Sequence, residues 1–122
     1  MSIFSLVAVF FISSCSSTQQ SSASSGAGLT TEAFKVTGVC NMCKRRIETA
    51  AYGVSGVKSA KWSADTQALT VSYDAKKVNT EAIQKRVAAA GHDTEKIKAE
   101  DKAYGNLPGC CKYRDGVEVH TN

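Results

Sequence analysis

Residues 33–47 read AFKVTGVCNMCKRRI, and the order of events in this stretch decides the fold. Phe34 and Val36 alternate with polar neighbours, so they share one face of a short strand over residues 33–37. Gly38 breaks that strand. Cys40 and Cys43 follow, three positions apart. From Cys43 to Ala51 the pattern turns helical, with Ile47, Ala50 and Ala51 on one face. Two thiols therefore sit where a strand gives way to a helix.

Working outward, Gly53 closes the helix and residues 57–63 (VKSAKWS) read as a second strand, with Ala60 and Trp62 on one face. Trp62 is expected to pack in the core. Residues 64–67 make a turn. Residues 68–73 (ALTVSY) alternate cleanly, with Leu69, Val71 and Tyr73 inward and Thr70 and Ser72 outward. Asn79 or Thr80 caps a second helix over residues 81–90, with Glu81 in its first turn and Ile83, Val87 and Ala90 as its apolar stripe. Gly91 stops it, and residues 94–98 (TEKIK) read as a last, edge strand. The order βαββαβ predicts an α+β, ferredoxin-like sandwich: a four-stranded antiparallel sheet with two helices on one face.

The chain has 122 residues, enough for one ordinary domain. Its net charge of +4, from 15 basic and 11 acidic side chains, does not by itself point to nucleic acid. The lysines are scattered and the central strands lack the aromatic pair that would stack bases. No Ser/His/Asp arrangement or phosphate-binding glycine loop is legible, so the chain is read as a non-enzyme. Asp65, Asp74, Asp93 and Glu95 read as surface or turn carboxylates.

Residues 1–14 (MSIFSLVAVFFISS) carry an apolar stretch of signal-peptide length, too short for the roughly 20 residues of a membrane span. Ile12-Ser13-Ser14-Cys15 resembles a bacterial lipobox, which makes Cys15 the expected lipidation site. Against this, no Lys or Arg precedes Lys35, so the usual basic start of a leader is missing. Residues 15–32 are serine-rich and read as a flexible tether. The expected location is the cell envelope or periplasm, anchored to a membrane through the lipid on Cys15.

With Cys15 assigned to lipid, four cysteines are left: Cys40, Cys43, Cys110 and Cys111. Cys43 lies near the first turn of a helix, where backbone amides favour thiolate over thiol. Lys44, Arg45 and Arg46 add positive potential that would offset an ion held by two thiolates. Thiolates suit soft ions, Cu(I) first, with Zn(II), Hg(II) or Cd(II) as alternatives.

Residues 33–98 resemble the heavy-metal-associated domain family, which includes copper chaperones, periplasmic mercury-binding proteins and the N-terminal domains of copper-transporting ATPases. The matching residues are Gly38, Cys40-Asn41-Met42-Cys43, Ile47-Glu48, Gly56-Val57, Leu69-Thr70-Val71-Ser72-Tyr73-Asp74, Ile83 and Ala90-Gly91-His92. The resemblance implies two-cysteine metal binding by Cys40 and Cys43, transfer by ligand exchange, and a metal-transporting ATPase or efflux system as partner. Two exposed CxxC sites could also share an ion in a metal-bridged dimer. Two departures stand out. The family's Gly-Met-Thr-Cys entry is here Thr37-Gly38-Val39-Cys40, so its methionine is missing, and Met42 lies inside the motif instead. His92 falls in a loop at the same end as the CxxC, as a third ligand, a group supporting the ligands, or a solvated histidine.

Residues 99–122 lie beyond that resemblance and read as an irregular tail, with a turn at Leu107-Pro108-Gly109 that presents Cys110-Cys111. The pattern CxMCKxRIE with a distal LPxCCxYR resembles exported members of the family. Three roles stand open for Cys110 and Cys111: completing a four-thiolate site with Cys40 and Cys43, forming a separate metal or exchange site, or pairing as disulfides. His120 is expected to be disordered. The function read from the residues is capture and carriage, or sequestration, of a soft ion. The alternative is a thiol-disulfide oxidoreductase using the same CxxC, although the only proline, Pro108, is not placed opposite it.

Overall fold

Alternating apolar side chains build one buried sheet face. The structure is a computed structural model and describes residues 28–116. Three strands pair antiparallel in the order β1-β3-β2: β1 (Thr30–Lys35), β2 (Val57–Ser63) and β3 (Ala68–Tyr73). Central β3 sets Leu69 opposite both Phe34 and Trp62, and Val71 opposite Ala60. All five of these side chains are buried. Against this face pack α1 (Asn41–Tyr52), through Cys43, Ile47 and Ala51, and α2 (Thr80–Ala89), through Ile83 and Val87. Each fully buried aliphatic side chain contributes about 1.5–3 kcal/mol relative to exposure. Among the described residues no helix is long and apolar enough to cross a membrane.

The ferredoxin-like α+β architecture is present, but the expected fourth strand is reduced to one bridge, Val36 to Thr94. The amide of Glu95 still donates to the Lys35 carbonyl at 2.8 Å, and that of Thr37 to the Asp93 carbonyl at 2.8 Å. Beyond this point the segment folds back on itself. The Thr94 amide donates to the Ile97 carbonyl, and the Ile97 amide to Thr94 Oγ1 at 3.1 Å. A strand pairing outward cannot spend its hydrogen bonds in this way, so extension stops at Thr94.

Two helix ends follow the sequence closely. Asn79 caps α2, its side-chain oxygen accepting from the Ala82 amide at 2.9 Å. Gly91 follows the helix with φ +104°, the left-handed region that suits glycine. A Cβ there would also lie 2.8 Å from the Ala103 carbonyl oxygen and 2.9 Å from Leu107. Those atoms belong to the tail. It is not irregular but forms α3 (Asp101–Gly105) and two single 3-10 turns, Gly109–Cys111 and Tyr113–Asp115. Leu107, between them, is buried in the shared core.

Gly91→Ala therefore meets both a backbone and a packing conflict. It is expected to destabilise the domain by about 1–3 kcal/mol. In thermal unfolding that is a drop of about 4–8 °C per kcal/mol. An unchanged melting temperature would mean that the tail does not press on Gly91.

Candidate metal centre

The CxxC loop is built on a tryptophan. Trp62 is buried, and its Nε1 donates to the Val36 carbonyl at 2.9 Å. A Cβ on Gly38 would stand 2.9 Å from Trp62 Cζ2 and 3.1 Å from Cys43 Cβ, so only glycine lets the loop lie this close to the ring. The Gly38 amide donates to Gln67 Oε1 at 2.9 Å, tying the loop to the β2–β3 turn. Glu48 of α1 accepts from the Trp62 amide at 2.8 Å and fixes the helix against β2. Val39, just before Cys40, is buried in the core.

Cys40 is the extended residue that opens α1, and Cys43 lies in the helix's first turn. Their sulfurs are 3.6 Å apart. The tail brings Cys111 Sγ to 3.9 Å from Cys40 Sγ and to 4.0 Å from Cys110 Sγ. The sulfurs of Cys40, Cys110 and Cys111 all lie within 4.8 Å of one another. Cys110 Sγ also approaches Met42 Sδ at 3.8 Å, and the Cys40 thiol donates to the Cys110 carbonyl at 3.7 Å. All four described cysteines are free thiols, so neither the CxxC nor the tail pair is a disulfide here. Cys43 and Cys111 are buried, Cys40 is half-buried, and Cys110 and Met42 face solvent.

These environments split the thiols electrostatically. Burial opposes the Cys40 thiolate, but the amides of Cys43 and Met42 and the thiols of Cys43 and Cys111 together outweigh it. Its pKa falls below the ordinary cysteine value. Burial raises Cys43, with hydrogen bonding from Cys111 only partly opposing it. Burial, then repulsion and hydrogen bonding from Cys43 and Cys40, pushes Cys111 far up. The more accessible thiol of the CxxC is thus the one more ready to be a thiolate.

His92 is not among the grouped sulfurs. It is buried, its Nδ1 is 2.9 Å from the Thr37 carbonyl, and its ring stacks on Tyr113 with centroids 5.7 Å apart. With a carbonyl as partner, Nδ1 carries the proton, which leaves Nε2 as an acceptor. Nε2 has no hydrogen-bond partner among the described residues. Burial holds the pKa of His92 below the ordinary histidine value, with Arg46 adding to the effect. Cys15 and His120 lie outside the described residues.

The residues that hold the tail in place were not singled out by the sequence. Arg114 Nη2 meets Asp93 Oδ1 at 2.7 Å, and its Nε meets Oδ2 at 3.3 Å, a two-point contact. The same guanidinium reaches the Ala99 carbonyl at 2.8 Å and Asp101 at 3.1 Å. Tyr113 donates to the Gly91 carbonyl at 2.7 Å and accepts from the Asp93 amide at 2.9 Å. Lys112 caps the end of α3 through the carbonyls of Tyr104 and Gly105. Asp93, expected as a surface or turn carboxylate, is therefore the anchor of this network. Its signal in the sequence was faint: an acid and an arginine in separate segments, with Tyr104, Leu107 and Tyr113 among mostly polar neighbours.

Burial works against the Asp93 carboxylate, but Arg114 and the Ala99 amide more than compensate and lower its pKa. A depressed carboxylate stabilises the fold above its unfolded pKa, and that contribution is lost as pH falls through the folded value. Tail docking should accordingly be intact above about pH 4, the ordinary aspartate value, and loosen in stronger acid. Arg114→Ala should release the tail even at neutral pH. The measurement is Cys111 labelling by a dipyridyl disulfide, which reacts across this range. Protection of Cys111 in wild type and its loss in Arg114→Ala is the expected result; equal protection in both would refute the clamp.

Comparison with known proteins follows the same boundaries. The heavy-metal-associated domain family matches residues 33–93. A zinc-transporting ATPase of Synechocystis sp. (strain ATCC 27184 / PCC 6803 / Kazusa) is 38% identical over 72 residues, which are 58% of this chain and 10% of that relative. This chain thus spans only a tenth of that ATPase. Among solved structures, the CopZ metallochaperone superposes with a TM-score of 0.52 and 29% identity, covering 53% of this chain and 98% of that one. Oxidised MerP from Ralstonia metallidurans CH34 gives 0.52 and 25%, covering 55% of this chain and 94% of that one. A copper-binding domain from HMA7, a P-type ATPase, gives 0.52 and 29%, covering 53% of this chain and 89% of that one.

Proposed function

This chain belongs to the heavy-metal-associated domain family, and we propose that it binds Cu(I) through Cys40 and Cys43 and carries or sequesters it at the cell envelope. The observation that carries the reading is the Cys40–Cys43 sulfur separation of 3.6 Å beside Cys111 at 3.9 Å from Cys40. With metal–sulfur bonds of about 2.3 Å, a linear two-thiolate ion spreads its sulfurs about 4.6 Å, and a trigonal one about 4.0 Å. The Cys40–Cys43 pair is closer than a linear two-thiolate ion needs, and Cys111, 3.9 Å from Cys40, stands within reach as an added thiolate. Soft sulfur ligands and the similarity to the copper-binding domain from HMA7 support the choice of Cu(I).

Transfer needs no covalent chemistry of the chain. An incoming thiolate on a partner replaces one sulfur at a time, and the ion passes through mixed coordination. Cys40 is the group to open first, being the least buried of Cys40, Cys43 and Cys111. A metal-transporting ATPase or efflux system is the proposed partner, supported by the 38% identity to part of a zinc-transporting ATPase. Anchoring is proposed through lipid on Cys15, supported by the apolar stretch and Ile12-Ser13-Ser14 before it.

In an anaerobic Cu(I) titration of the reduced chain against a chelating dye, wild type should compete for the ion. Cys40→Ser and Cys43→Ser should each lose more than the roughly 100-fold that changes around a metal's ligands cost. Absence of competition by wild type would overturn the copper reading. Turnover of an insulin-reduction assay at a rate that vanishes in Cys40→Ser would favour the oxidoreductase instead. For the anchor, Cys15→Ala should move the expressed protein from the membrane fraction to the soluble one; an unchanged distribution would remove it.

A further inference from the structure

The four sulfurs are not arranged for one ion. A single tetrahedral ion needs all six sulfur–sulfur edges near about 3.8 Å. Here the sulfurs mutually within 4.8 Å are those of Cys40, Cys110 and Cys111, and Cys43 stands outside that set while lying 3.6 Å from Cys40. Cys40 is common to two groupings. The inner one is the CxxC pair, 3.6 Å apart, with Cys111 Sγ 3.9 Å from Cys40 Sγ. The outer one is Cys40, Cys110 and Cys111, with Cys110 and Met42 on the solvent side.

We propose that the tail creates a second, outer metal position, so that one chain holds two Cu(I) ions bridged by Cys40 and Cys111. This deepens the reading of the CxxC as a copper site and rests on it. Cys43 is the terminal thiolate of the inner ion. Cys110 is the terminal thiolate of the outer ion, with Met42 Sδ, 3.8 Å from Cys110 Sγ, as an added soft donor. Met42, unusual within the motif and 48% exposed, gains a role that core packing does not give it.

Charge balance favours the second ion. One Cu(I) among four thiolates leaves a local charge of −3, whereas two leave −2. Each ion replaces thiol protons with no change of oxidation state, so no other reactant is required. The distances fit as well. Bridging sulfurs 3.9 Å apart can each bind two ions, whereas a disulfide needs about 2.05 Å. The Arg114–Asp93 contact holds the turn at Gly109–Cys111 so that the outer position exists before an ion arrives.

The test is native mass spectrometry of the reduced, full chain titrated anaerobically with Cu(I), read together with Cu(I)–thiolate luminescence. Wild type is expected to accumulate a monomer carrying two copper ions and to luminesce. Cys110→Ser changes an exposed side chain and should stop at one copper, with its first-ion affinity within about threefold of wild type and the luminescence lost. Met42→Leu should retain the first ion and weaken the second by on the order of 10-fold. Saturation of wild type at one copper per monomer would overturn the outer position and leave the CxxC reading standing. So would two coppers unaffected by Cys110→Ser, or two found only in dimers. Binding of no copper at all would overturn both.

Discussion

The two-point contact between Arg114 and Asp93 governs what this molecule can do with its cysteines. The guanidinium also reaches the Ala99 carbonyl and Asp101, so it ties the segment that carries Cys110 and Cys111 to the domain at several points. On that segment a buried sulfur stands 3.9 Å from Cys40. The contact does not act alone. Tyr113 bonds the Gly91 carbonyl, Leu107 enters the core, and Gly91 has no Cβ to keep them out. A partly exposed ion pair is weak by itself. Here it locks the register of a segment that apolar burial already draws in.

Much of the domain was legible because it obeys local periodicity. The β2 and β3 boundaries agree with the alternation of Ala60, Trp62, Leu69 and Val71, and the Asn79 cap and Gly91 stop mark α2 to within a residue. Local pattern failed where long-range contacts decide. Residues 94–98 alternate like a strand, yet Thr94 and Ile97 satisfy one another and end it. His92 stood open as a third ligand, a group supporting the ligands or a solvated loop residue; it is buried, and Tyr113 stacks on it. Nothing near His92 in sequence announces that cover. The thiols of the site were all visible, but their grouping depends on Arg114, whose partner lies 21 positions away.

The inner and outer sulfurs differ in the two properties that set metal traffic, exposure and proton affinity. Cys43 and Cys111 are buried and hold their protons tightly, so an ion bound there is shielded from competing ligands. Cys40 is half-buried with its pKa lowered, and Cys110 is exposed beside Met42. A partner's thiolate can reach this outer edge and not the inner one. The CxxC of a simple carrier has to serve both retention and release with the same two sulfurs. Under the two-ion proposal the extra pair separates those tasks: the inner sulfurs retain, and the outer sulfurs meet the partner.

That separation has a consequence for how fast the ion can move. Exchange at a buried trigonal site requires one thiolate to detach while the ion is held by the remaining two, and burial slows the approach of a replacement. Cys40 and Cys111 each face both groupings, so an ion can shift outward by exchanging Cys43 for Cys110 without ever dropping below two sulfur ligands. Successive sulfurs along the path from Cys43 through Cys40 and Cys111 to Cys110 stand 3.6, 3.9 and 4.0 Å apart. The backbone need not open, since Gly38 on Trp62 and Arg114 on Asp93 fix both sides of the cleft. A rigid frame with mobile coordination therefore reconciles tight holding with hand-off. Under the two-ion proposal, the tail, rather than the CxxC, sets which of the two prevails.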